Sequence, residues 1–132
     1  MSYIWVGIAG IAGALSRYLV GMWIQGSVAS FPLATLLINL TGSFLLAFFY
    51  TWTARRFPVH PHVRTAIGTG FIGSFTTFST FSYETLHLMH SGQMAAALSY
   101  VIASLIGGYG TAVLGIRLAA RSQETRPHER QG

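Results

Sequence analysis

The sequence predicts an all-α membrane protein of four spanning helices with a broken third helix, and three observations carry that prediction. Of its 132 residues, 52% are hydrophobic and only 8% are charged, whereas a soluble domain devotes about 25% to charge. The apolar residues fall into four stretches, Tyr3 to Ile24, Pro32 to Trp52, Thr65 to Met89 and Met94 to Leu118. Each is near the ~20 residues a helix needs to cross a bilayer. The third stretch also holds Gly68, Gly70 and Gly73 followed by Ser74, Thr76 and Thr77, a composition that predicts an interruption mid-membrane. One domain over residues 1–118 follows, and the polar, proline-containing tail over 119–132 reads as disordered.

No basic segment precedes Tyr3, so the first span reads as retained rather than cleaved. The absence of cysteine excludes disulfides, thiolate catalysis and cysteine-ligated metals. The net charge of +5 comes from arginine alone, against the acids Glu84, Glu124 and Glu129. Four spans place both termini and the second loop on one face. That face carries Arg55, Arg56, Arg64, Arg117, Arg121, Arg126 and Arg130, so the positive-inside rule makes it cytoplasmic. Orientation and contact with anionic lipid headgroups account for the patch. No nucleic-acid recognition motif accompanies it.

The first span carries Gly7, Gly10 and Ala14 on one stripe and Gly13, Arg17 and Gly21 on the next. Small residues at this spacing mark packing faces, since lipid leaves little hydrophobic drive between helices. Arg17 has two readings: a cation that snorkels to the interface, or one that draws anions into a vestibule. A polar turn spans Gln25 to Phe31, and Pro32 suits a first helical turn. In the second span, Asn39 must find a partner at membrane depth; it either joins helices or points its amide at a permeant anion. The connector Thr53 to Val63 holds His60 and His62 but no further ligand, and reads as solvated rather than metal-binding.

Gly68, Gly70 and Gly73 spell G-x-G-x-x-G, but no strand precedes them, so a nucleotide-binding reading fails. A break here frees carbonyls that need partners. Either neighbouring hydroxyls satisfy a packing kink, or the carbonyls converge on a cation. Beyond it, Phe78 and Phe81 fall on one face among Thr77, Ser79, Thr80 and Ser82. Neutral hydroxyls and ring edges can strip water from a small anion and still release it. Glu84, His87 and His90 read as interfacial, with Glu84 shaping a vestibule rather than a zinc site. In the fourth span Ser104, Gly108 and Ala112 form a small-residue row, beside Tyr100, Gly107, Thr111 and Gly115.

The run Gly73 to Ser82 followed by Glu84, with Asn39 upstream and Tyr100 downstream, resembles the Fluc (CrcB) family of fluoride channels. The likeness spans all four stretches. It implies a non-enzymatic, multi-pass protein of the bacterial inner membrane, assembled as an antiparallel homodimer and exporting cytoplasmic fluoride passively. By that resemblance Phe78 and Phe81 are the pore phenylalanines. Asn39 donates its amide to fluoride, and Ser79, Thr80, Tyr100 and Ser104 supply hydroxyls. The Gly73 and Thr76 carbonyls bind a structural sodium ion on the two-fold, two from each subunit. Gly108 stands where related channels often carry serine on this polar track. The arginine bias predicts one orientation, whereas an antiparallel homodimer needs both. The competing reading, a small proton-coupled multidrug exporter, requires an acid in the first span, which has none.

Overall fold

Where lipid replaces water, backbone N–H and C=O groups must pair within their own segment, so long apolar runs become helices. A computed structural model describes residues 2–25, 30–55 and 58–122. Its elements are α1 (Ser2–Gln25), α2 (Leu33–Arg55), α3 (Pro61–Thr65), a π-helical segment (Ala66–Ile72), α4 (Gly73–Phe75), α5 (Phe78–His90) and α6 (Met94–Arg121). Helices α1, α2 and α6 are each long and apolar enough to cross a membrane. The third stretch is not one helix: it begins at Pro61, ends at His90 and divides into two arms that meet at Thr76 and Thr77.

Two other expected boundaries move outward. Thr53 lies inside α2, buried, its hydroxyl donating to the Phe49 carbonyl at 2.8 Å, a back-bond that lets a polar residue stay helical at depth. Pro61 then opens α3, where a missing N–H costs nothing, so the connector is shorter than Thr53 to Val63. At the other end, Ala119 is fully buried and α6 runs on to Arg121, so the domain reaches past residue 118. Residues 26–29 of the first turn, Arg56, and residues 123–132 with Arg126 and Arg130 lie outside the described residues.

Glycines decide which faces meet. A Cβ on Gly13 would run into the Phe71 carbonyl, one on Gly70 would lie 2.7 Å from the Val6 carbonyl oxygen, and one on Gly10 would lie 3.2 Å from Ser74 Oγ. Helix α1 therefore packs backbone to backbone on the π segment and α4. Gly7 and Gly21 have nothing within 4 Å; of the glycines in the expected stripes, only Gly10 and Gly13 make close contacts. Between α2 and α6, close approach runs through Gly107, against Leu40, and Gly115, against the Phe44 carbonyl. Gly108, expected in that row, meets only Ser43 Oγ at 3.9 Å.

The two arms have different neighbours. The π segment and α4 lie on α1, whereas α5 lies on α6, so the interruption carries the chain across the bundle. Around α5 and α6 the core gathers Leu36, Leu88, Ala97 and Tyr100, with Phe31 and Phe81 against them. The outward residues of α1, among them Ile4, Ile8, Ile11, Leu15 and Leu19, are exposed, as suits a lipid-facing wall. Arg55, Arg64, Arg117 and Arg121 fall at the end where α2 and α6 finish and α3 begins. There the Arg64 guanidinium sits 4.8 Å over the Tyr50 ring.

Candidate functional site

The interruption lies at a threonine pair, not at the glycines. Thr76 is extended (φ −77, ψ 158), and so is Thr77 (φ −148, ψ 121). β-Branched threonine accepts extended backbone readily and caps helices well. The Thr77 hydroxyl accepts the Thr80 N–H at 3.2 Å and donates to Thr80 Oγ1 at 2.9 Å, starting α5. Glycine serves another purpose. Gly68 and Gly70 let the π segment approach Tyr50 and α1 where any side chain would collide, and such widened turns often sit beside functional sites.

An extended turn at this depth leaves peptide groups without helical partners, and side chains from two other helices replace them. Thr77 N–H donates to Asn39 Oδ1 at 2.8 Å, and Asn39 Nδ2 donates to the Thr77 carbonyl at 2.9 Å. The amide grips one peptide from both sides, as a neighbouring strand would. Arg17 Nη1 donates to the Thr76 carbonyl at 3.3 Å. Of the two readings open for Arg17, neither snorkelling nor a free vestibule cation describes this contact. The guanidinium is turned inward to the broken backbone. Asn39 joins helices, with its second amide hydrogen left over.

Beside the interruption lies a cavity of about 340 Å³, walled by Asn39, Ser43, Thr76, Thr77, Phe78, Phe81 and Ser104 together with Gly42, Leu46 and Leu105. Among the described residues no charged side chain lines it. The Phe78 and Phe81 rings are 5.8 Å apart. Phe78 is 80% exposed in the single chain, whereas Phe81 packs on the Tyr100 ring at 5.1 Å. Of the residues expected on the path, Asn39, Phe78, Phe81 and Ser104 thus come together. Ser79, Thr80 and Tyr100 are off this wall: Ser79 Oγ lies 3.3 Å from the Thr77 hydroxyl, Thr80 is engaged in the cap, and Tyr100 is fully buried. The sequence reading missed Ser43, one turn from Asn39 on the same face; the i, i+4 spacing was the signal available.

Glu84 is half-buried, and other helices supply its partners. Thr35 Oγ1 donates to its Oε1 at 2.9 Å and the Tyr100 hydroxyl to its Oε2 at 2.8 Å. Both partners are distant in sequence. Glu84 also edges a second cavity of about 200 Å³ with Gln25, Tyr83 and His87, so a vestibule remains its place. His87 stacks on Tyr83 at 6.2 Å and His90 Nδ1 meets the Leu86 carbonyl at 2.9 Å, so the three do not converge. With both carboxylate oxygens held, Glu84 is poorly placed to trade protons for a drug.

The family described as "CrcB-like protein, Camphor Resistance (CrcB)" matches residues 4–116. Among curated proteins, the chain is 54% identical over 117 residues to "Fluoride-specific ion channel FluC 1" of Bacillus cereus, covering 88% of this chain and 85% of that one. It is 50% identical over 109 residues to "Fluoride-specific ion channel FluC 2" of Geobacillus kaustophilus, covering 82% and 84%. With "Fluoride-specific ion channel FluC 1" of Desulfitobacterium hafniense it shares 46% over 113 residues, covering 86% and 98%.

Proposed function

The chain belongs to the CrcB family, and from that premise we propose that it is a fluoride-specific channel, a multi-pass plasma-membrane protein through which cytoplasmic fluoride leaves down its gradient. One observation carries the reading: a cavity beside the interruption lined by an amide, hydroxyls and two phenyl rings, with no fixed charge among the described residues. Neutral donors replace part of a small anion's hydration without trapping it, which conduction requires. In proteoliposomes loaded with fluoride, efflux should follow the fluoride gradient alone. Dependence on a proton gradient, or silence, would overturn the reading.

Phe78 supports the role of ring edges. Because its side chain is 80% exposed in the single chain, Phe78→Ile removes little internal packing. It should slow fluoride efflux by about tenfold, the equivalent of ~1.4 kcal/mol and within what an aromatic edge contributes. Elution and melting should stay as in the parent. Unchanged efflux would remove the ring from the path.

One chain leaves Phe78 uncovered, so a second copy is the natural further wall, and an antiparallel homodimer is the assembly proposed. On its two-fold the Gly73 and Thr76 carbonyls are assigned to sodium. Their chemistry fits: hard oxygen donors suit a hard cation. Thr77 N–H has left the helical ladder for Asn39, which leaves Gly73 O with only a 3.5 Å approach from Thr76 Oγ1. Thr76 O shares with Arg17 and keeps a second lone pair. The ion would neutralise the carbonyl dipoles at the interruption. Exchanging sodium for a larger organic cation should weaken efflux and lower the melting temperature; indifference of both would favour a kink closed by Asn39 and Arg17 alone.

A further inference from the structure

The cavity wall contains a hydroxyl that no comparison assigns. Ser43 lines it one helical turn beyond Asn39, and its Oγ is the nearest atom, at 3.9 Å, to where Gly108 would carry a Cβ. Gly108 lies one turn beyond Ser104 on α6, so between them α6 presents one hydroxyl and then a gap, and Ser43 reaches toward that gap from α2.

Its hydrogen-bonding state sets Ser43 apart. Several serines bond to the backbone of their own helix: Ser16 Oγ donates to the Ala12 carbonyl at 2.8 Å and Ser82 Oγ to the Phe78 carbonyl at 3.0 Å. Among the cavity's hydroxyls, Thr76 bonds to the Ile72 carbonyl at 3.1 Å, and Thr77 is engaged with Thr80. Ser43 and Ser104 have no hydrogen-bond partner among the described residues, and neither oxygen is a sealed buried atom. A hydroxyl with its proton uncommitted, facing an uncharged cavity, is a donor available to an anion.

Resting on the channel reading above, we infer that Ser43 is a fluoride-contacting residue, whose hydroxyl supplies on α2 the donor that α6 lacks at Gly108. Fluoride passing the wall meets the Asn39 amide, then Ser43 with Ser104 opposite, beside the two rings.

The test is fluoride efflux from proteoliposomes for the parent, Ser43→Ala, Ser43→Thr and the pair Ser43→Ala with Gly108→Ser, each checked for elution and melting. Ser43→Ala should slow efflux by about tenfold, the effect of one lost hydrogen bond of ~1.4 kcal/mol. Ser43→Thr should keep most of it. The pair should recover it, because a side chain at Gly108 meets nothing closer than 3.9 Å and returns a hydroxyl to the same gap. A purely structural serine would not be rescued from the opposite helix. Parent-like efflux in Ser43→Ala, or slowed efflux that Gly108→Ser fails to restore, overturns the inference and leaves the channel standing. A parent that passes no fluoride overturns the channel itself.

Discussion

Asn39→Leu is expected to abolish fluoride efflux and to lower the melting temperature of the detergent-purified protein at the same time. Leucine keeps the γ-branched shape and the number of heavy atoms while removing every donor and acceptor, so most of the loss is hydrogen bonding. The asparagine amide is the partner of both the Thr77 N–H and the Thr77 carbonyl, at 2.8 and 2.9 Å. Leaving each group unpaired costs about 1–3 kcal/mol, so the pair together costs roughly 2–6 kcal/mol, much of a small domain's margin. The same change removes the free amide hydrogen from the cavity wall. Asn39→Asp separates the two roles. Its carboxylate still accepts the Thr77 N–H, yet cannot donate to the carbonyl and sets a negative charge where an anion must pass. Melting should lie between that of Asn39→Leu and the parent, with efflux as low as in Asn39→Leu. A leucine variant that melts and conducts like the parent would show that the interruption is held by something else.

That result depends on a contact between α2 and the third stretch, and contacts of this kind mark where reading the chain stops. Three spans were legible as runs of apolar residues, because length against bilayer thickness is a local property. The interruption was legible too, but its place only coarsely. Glycines followed by Ser74, Thr76 and Thr77 signalled weakness with the helix resuming from Thr77, whereas the backbone leaves the helix at Thr76 and Thr77 because Asn39 waits there to receive it. Glycines with close neighbours, such as Gly70 beneath Val6, remain helical in the widened π form. The family resemblance grouped Ser79 and Thr80 with the cavity residues, and the cap that starts α5 engages Thr80 instead. Glu84 was legible as a vestibule residue from its distance to a helix end, but its partners were not, since nothing local foretells that Thr35 and Tyr100 converge on it. The polar residues most easily misplaced were those whose partners lie on another helix, and in a membrane protein that is where function gathers.

Gly13→Ala should be the most damaging single methyl in the chain. The added Cβ would overlap the Phe71 carbonyl and lie 3.1 Å from Phe71 Cα. These are backbone atoms of the π segment and cannot swing aside like a side-chain tip. Helix α1 must retreat, at an expected cost of about 1–3 kcal/mol or more. One turn further on α1 is Arg17, whose reach to the Thr76 carbonyl is already 3.3 Å. A retreat lengthens that contact and frees the carbonyl, so the packing error spreads to the interruption. Melting should fall and efflux should fall with it, although Gly13 does not line the cavity beside the interruption. Gly7→Ala and Gly21→Ala supply the contrast on the same helix. Neither meets an atom within 4 Å, and alanine's better helix propensity makes each neutral to stabilising by up to about 1 kcal/mol. Equal behaviour of the three variants would mean that α1 does not sit on the π segment as described. A Gly13→Ala protein that melts lower yet conducts normally would instead uncouple Arg17 from the pathway.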